Sequence, residues 1–148
     1  MKVEIKRIDK SLPLPIYETK KSVGFDLRVR KDTLIKKKII GLVPLNVIVK
    51  VPKGFVLIII ARSSTPKKRG LLMPHGIGII DQDYYGPKDE IFAQFYNFSQ
   101  KDVLIKRGEK IGQGIFLPLK IIQWKEVKKI KQKTRGGFGS TDKNLTKN

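Results

Sequence analysis

The chain has 148 residues and a mass of 16.9 kDa, the size of one ordinary domain. Lys and Arg number 32 against 13 Asp and Glu, for a formal charge of +19, and seven Phe, four Tyr and one Trp suffice for a real core. The lack of cysteine excludes a disulfide scaffold, thiolate metal centres and a cysteine nucleophile, and a single histidine argues against a multi-histidine metal site.

Residues 1–7 are charged and alternating, with no apolar region of a secretion signal. The longest apolar stretch, residues 55–61, falls far short of the roughly 20 residues needed to cross a bilayer. The expectation is a soluble, cytoplasmic protein with no membrane partner. The positive charge raises an anionic partner, but the lysines are scattered from Lys2 to Lys147, with only short clusters at 36–38, 67–69 and 128–129. No aromatics interleave with them as a single-strand stacking platform requires. Much of the charge therefore reads as lysine on solvated faces, whose field would still attract an anionic small molecule such as a polyphosphate.

In chain order, the pattern is β almost throughout. Residues 3–7 alternate, and residues 24–29 alternate with Phe25, Leu27 and Val29 on one side. Residues 47–51 run into the turn Pro52-Lys53-Gly54, and 55–60 follow as a buried strand. Further strands are expected at 91–98 and 111–116, and residues 119–127 close the regular part. No window carries sustained helical spacing with caps, so no helix is expected. Many short strands punctuated by Gly and Pro argue for an all-β barrel or sandwich. After about Ile130 the chain turns polar and glycine-rich, as a disordered tail or as an arm that orders on something else. The expected organisation is a β core over 1–130 and a flexible C-terminal arm over 131–148.

Three constellations bear chemistry. Arg62, Ser63 and Ser64 directly follow an apolar strand, where an arginine fork and two hydroxyls suit a phosphate; the alternative is a turn with hydroxyl caps. The run from Gly76 to Gly86 sets Asp81 after an Ile79-Ile80 pair taken as buried, with Tyr84 three residues on. Its glycine-flanked backbone can present polar groups to a base edge and Asp81 can act on a water, or the run is a hairpin whose Asp and Gly serve turn geometry. Arg135, Phe138, Gly139, Ser140 and Thr141 place a cation, an aromatic and hydroxyls on a segment that lacks the P-loop pattern.

Together, in this order and spacing, these pieces resemble the five motifs of the homotrimeric dUTP diphosphatase (dUTPase) family over nearly the whole chain. The motifs are Val23-Gly24-Phe25-Asp26-Leu27, Ala61-Arg62-Ser63-Ser64, Gly78 through Gly86, Arg107-Gly108-Glu109-Lys110-Ile111-Gly112-Gln113, and Arg135 through Thr141. The resemblance implies an all-β fold, a barrel-like jelly roll (β-clip) with a flexible C-terminal arm, assembled as a homotrimer whose active sites are shared between chains. It implies hydrolysis of dUTP to dUMP and diphosphate, which limits uracil incorporation into DNA and supplies dUMP for thymidylate synthesis.

By the same resemblance, Asp81 holds and deprotonates the attacking water, and Tyr84 lies against the deoxyribose and leaves no room for a 2′-hydroxyl. The hairpin backbone around Gly78, Ile79 and Ile80 reads uracil and refuses a 5-methyl group. Arg62, Ser63, Ser64 and Gln113 contact the phosphates, and Asp26 meets Mg²⁺ through its water shell. Phe138 from another chain stacks on the base, while Arg135, Gly139, Ser140 and Thr141 close over the phosphates as a lid. His75 stands where many relatives carry Asn; its imidazole faces the base or sugar, or it serves the loop alone. Pro87-Lys88-Asp89 lengthens the hairpin, Thr65-Pro66-Lys67-Lys68-Arg69 replaces the usual Leu-Ala stretch, and the last motif is one residue short. The alternatives are a dCTP deaminase or bifunctional relative of the same fold, and a non-enzymatic basic nucleic-acid-binding barrel. The deaminase relies on a glutamate where this chain has Gln94, which cannot shuttle a proton. The Asp26, Asp81 and Tyr84 set argues against the nucleic-acid barrel, because a DNA groove gains nothing from carboxylates that are expected to be buried, and nucleic acid is not required by the dUTPase reading.

Overall fold

The computed structural model describes residues 1–137. Eleven strands and one short helix follow in order: β1 (Ile5–Arg7), β2 (Phe25–Arg28), β3 (Thr33–Ile35), β4 (Ile40–Pro44), β5 (Val47–Val49), β6 (Phe55–Ala61), α1 (Thr65–Arg69), β7 (Leu71–Leu72), β8 (Gly78–Ile80), β9 (Phe92–Asn97), β10 (Val103–Ile105) and β11 (Lys110–Pro118). All pairings are antiparallel. A four-stranded sheet runs β2-β11-β6-β8, a three-stranded sheet runs β4-β9-β7, and β1-β5 and β10-β3 form two-stranded ribbons. The all-β jelly-roll expectation holds.

Period-two alternation builds the core. On β9, Ala93, Phe95 and Asn97 turn inward while Phe92 and Gln94 turn out. On β6 only Leu57 and Ile59 are fully buried, so that strand is half-buried where a fully buried one was expected. Its neighbours explain the difference: β6 is flanked by β11 and β8 in a sheet with only one face on the core. Phe25, Leu27 and Val29 are buried as their spacing predicts.

Two expectations change. A helix forms at Thr65–Arg69, with Pro66 in its first turn and Gly70 at φ +65° ending it. One turn and a half is too short to leave an apolar periodicity in sequence. Residues 119–127 form neither strand nor helix. The β6–β11 ladder ends at Phe55 and Pro118, with a last bond from Leu119 N–H to the Gly54 carbonyl, and residues 119–127 pair with no described strand.

Candidate functional site

The structure gathers the expected site residues into two groups. The first lies at the C-terminal end of β6. There β11 runs between β2 and β6, so Gln113 is the cross-strand partner of both Asp26 and Ile60, and Arg62 follows one residue beyond β6. Gln113 Nε2 donates to Asp26 Oδ1 at 3.2 Å, and Arg62 Nε stands 3.2 Å from the same oxygen. Lys110 Nζ lies 3.2 Å from Asp26 Oδ2 as an ion pair without hydrogen-bond geometry, so that buried oxygen accepts no hydrogen bond. Asp26 is only 3 % exposed. A carboxylate at that depth is tolerable because two cations face it. Lys110 also pairs with Glu18, and that bond, with Asp26 adding, holds its ammonium above the ordinary lysine range.

Ser63 and Ser64 turn the chain from β6 into α1. Ser64 occupies the N-cap position yet its side chain makes no cap bond, while Thr65 Oγ1 donates to the Ile111 carbonyl at 3.3 Å. The hydroxyl of Ser64 is thus not spent on the helix, which removes the capping alternative for that residue. Beside Arg62 it is left to serve an anion.

The second group surrounds a cavity of about 330 Å³ beside β8. His75, Gly78, Ile79, Ile80, Asp81 and Tyr84 line one side, and Leu42, Phe92 and Gln94 the other. Gly76, at φ +75°, turns the chain into β8, a conformation that side chains disfavour. Tyr84 is 39 % exposed, and its hydroxyl donates to the Glu90 carbonyl at 3.0 Å. Partial burial, then the nearby Asp89 and Glu90 charges, raises its pKa, so the phenol stays neutral.

Two expectations about this group are corrected. Asp81 is an exposed carboxylate, not a buried one, because it lies just past the end of β8. Ile79 is 61 % exposed, so the Ile79-Ile80 pair is not buried. β8 is the edge strand of its sheet, and no other described strand pairs with its free edge.

Leu42 and Phe92 were not foreseen at these sites; Gln94 was noted only as the place of the deaminase glutamate, and Lys110 only as part of the fourth motif, without a role. The signal for Gln94 was a lone polar residue at an outward position of an otherwise apolar strand. Arg135 is exposed and outside any regular element. Phe138, Gly139, Ser140 and Thr141 lie outside the described residues.

Within one chain the two groups do not meet. Ile59 opposes Gly78 and Leu57 opposes Ile80, so Asp81 falls beside Val56, six residues along β6 from Arg62. At a strand rise of about 3.3 Å per residue, that is about 20 Å.

The described residues contain no cluster of three or more His, Cys, Asp or Glu that could hold a metal ion. Asp26, with one oxygen facing Gln113 and Arg62 and the other facing Lys110, does not suit an ion caged by protein alone, which leaves a contact through water as the only one the residue could make.

A sequence model of the dUTPase family matches residues 10–142. The chain belongs to that family. A deoxyuridine 5′-triphosphate nucleotidohydrolase of Dictyoglomus turgidum is 38 % identical over 147 residues, covering 95 % of this chain and 98 % of that protein. The Lactococcus lactis protein of the same name is 34 % identical over 131 residues, covering 86 % and 87 %. Among solved structures, the dUTPase of Streptococcus mutans is 36 % identical with a TM-score of 0.75, covering 81 % of this chain and 98 % of that one. A Staphylococcus bacteriophage 80alpha dUTPase solved with dUPNHPP reaches a TM-score of 0.82 at 20 % identity over 94 % of this chain and 97 % of that one, a likeness of fold alone. Family membership does not favour the deaminase and nucleic-acid-barrel alternatives.

Proposed function

We propose that this dUTPase binds the uridine of dUTP in the cavity beside β8 and its triphosphate at the Arg62 group of another copy, with Asp81 as the general base. The chain hydrolyses dUTP to dUMP and diphosphate. The observation that carries the reading is Asp81 at the rim of a cavity shared with Tyr84 and the β8 backbone. A carboxylate there can orient a water, take its proton as the oxygen attacks the α-phosphorus, and leave diphosphate to depart. Tyr84, pinned by Glu90, presents its ring to the sugar. His75 and the backbone of Gly78, Ile79 and Ile80 face the base. Arg62, Ser63, Ser64 and Gln113 bind the phosphate chain, where fixed cations offset the charge that develops on oxygen.

Mg²⁺ would come carried on the triphosphate and would supply neutralisation of phosphate charge, with Asp26 the residue of this chain that would meet it through water. Asp26 itself orients Arg62 and Gln113. Residues 131–148 act as an arm, whose Arg135, Phe138, Gly139, Ser140 and Thr141 close over the substrate. The enzyme works in the cytoplasm, needs no nucleic acid, and no described helix is long and apolar enough to cross a membrane.

Two features support a homotrimer with shared sites. The roughly 20 Å between Asp81 and Arg62 leaves one chain unable to hold both ends of the reaction. The chain after Pro118 also carries uncovered apolar side chains, among them Ile121, Ile122, Val127 and Trp124, the last 95 % exposed. Exposure of that kind calls for a protein partner.

The test is diphosphate release from dUTP, dCTP and dTTP, with and without Mg²⁺, by the native chain and by Asp81→Asn. The expected result is Mg²⁺-dependent release from dUTP alone, reduced at least about a hundredfold in Asp81→Asn while nucleotide binding persists. Equal activity in that variant would remove Asp81 from the role.

A further inference from the structure

The helix α1 is five residues long, too short to hold itself in place. It directly follows the turn of Ser63 and Ser64, so whatever fixes α1 also fixes those hydroxyls. Three ties run from this segment to β11 and the residue before it. The Ile111 carbonyl accepts from Arg62 N–H at 3.4 Å and from Thr65 Oγ1 at 3.3 Å, so the two serines bridge over a single acceptor. Both bonds are long. The third tie is ionic: Arg69, the last residue of α1, reaches Glu109 Oε2 through Nη2.

Glu109 is held independently of that pair. Its Oε1 accepts from Lys106 N–H at 3.0 Å, its own N–H donates to the Lys106 carbonyl at 3.1 Å, and its carbonyl accepts from Val29 N–H at 2.9 Å. Arg69 therefore docks on a preset anchor. Gln113 stands four residues beyond that anchor on β11, beside Asp26. The ion pair thus links the hydroxyl turn and Gln113 through Thr65-Pro66-Lys67-Lys68-Arg69, the stretch in which this chain departs from the motif pattern.

We infer that Arg69 and Glu109 are positioning residues of the phosphate site: their ion pair sets the distance between the Ser63-Ser64 turn and Gln113. The inference rests on the reading of the Arg62 group as the phosphate end. Both side chains are partly exposed, so the pair adds little to stability. Its effect is on where the hydroxyls stand, and a misplacement of about 1 Å is enough to weaken a site of this kind.

Arg69→Met removes the charge, and Glu109→Gln does the same while keeping an acceptor for Lys106. The two single variants, the double variant and Arg69→Lys are compared with the native chain. KM and kcat are measured for dUTP, and Kd for its non-hydrolysable α,β-imido analogue and for dUMP, which lacks the two departing phosphates. The ratio of the two Kd values within a variant is unaffected by any fraction of chain that fails to assemble.

Each single variant should raise KM for dUTP and Kd for the analogue about threefold to tenfold, with kcat and the Kd of dUMP changed less. The double variant should be no worse than the poorer single one, because the two groups act as a unit. Arg69→Lys should fall between Arg69→Met and the native chain. Loss in Arg69→Met with native or tighter binding in Glu109→Gln would make Arg69 a direct phosphate contact and overturn the inference. Equal losses for the analogue and dUMP, or additive losses in the double variant, would overturn it as well. An Arg62→Ala chain with native KM, or a native chain that releases no diphosphate from dUTP, would instead sink the reading of the phosphate end.

Discussion

The Tyr84 hydroxyl donates to the main-chain carbonyl of Glu90 at 3.0 Å, which ties the aromatic wall of the cavity to a half-buried ion pair. The Glu90 side chain accepts from Arg30 Nε and Nη2, both at 2.8 Å, and from the Asn46 N–H at 2.9 Å. The pairing holds the Arg30 guanidinium above its ordinary pKa. The loop carrying Pro87-Lys88-Asp89 is thus anchored at its far end.

That anchor predicts a graded pair of effects. Tyr84→Phe should cost about 1 kcal/mol of stability, one neutral hydrogen bond. Arg30→Ala leaves Glu90 buried without its partner and should cost about 2–4 kcal/mol, less than a fully enclosed pair because Arg30 is partly exposed. Denaturant unfolding of the two variants separates them. Equal effects would mean that Glu90 is not the anchor.

Gly114 makes a prediction in the sheet. A Cβ built there would lie 2.4 Å from the ring of Phe25, its cross-strand partner, which itself packs edge-on against Tyr17. Gly114→Ala should therefore destabilise by about 1–3 kcal/mol through overpacking, and Phe25→Leu in the same chain should recover part of that loss. Additive losses in the double variant would show that the contact is not what excludes alanine.

Much of this molecule was legible because alternation is a local signal. Phe25, Leu27 and Val29 announced β2, and residues 55–60 announced β6. The short strands β3, β7 and β10, of two or three residues, left no pattern, since each is defined by its partner. The same reason hid α1 and made 119–127 look regular: an apolar run becomes a strand only where an edge awaits it. In the site, residue type at a strand end singled out Arg62, and the resemblance of the motifs implied Asp26 and Gln113, which β2 and β11 bring side by side. Spacing could not show that Asp81 stands in the open, because exposure at a sheet edge depends on what lies beside that edge. Nor could it show that Lys110 faces Asp26, a fact of register across the β-bulge between Lys110 and Gly112.

Asp9 gives a pH prediction. Bonds from the Ser11 hydroxyl, then from Arg107, then from the Ser11 N–H pull its carboxyl from the ordinary 3.8 down to about 2. A lowered folded pKa means that the ionised form is the one the fold favours. Its contribution is complete above about pH 4 and is lost as pH falls toward 2. The stability difference between the native chain and Asp9→Asn should shrink across that window and be flat above it. Because the pair is exposed, added salt should reduce it as well. A difference that grows on acidification would contradict the assignment.

Sharing of sites between copies makes the last prediction. Arg62→Ala damages the phosphate end of a site, and Asp81→Asn damages the catalytic end. If each site takes Arg62 from one chain and Asp81 from another, co-expression of the two inactive variants yields some mixed oligomers with an intact pair. Random assembly at equal amounts should restore about a quarter of native activity, since each of the two required chains is the right one half the time. Each variant alone should stay near background. A mixture no more active than its components would mean that one chain supplies both residues, and would require the roughly 20 Å along β6 to be closed within the chain.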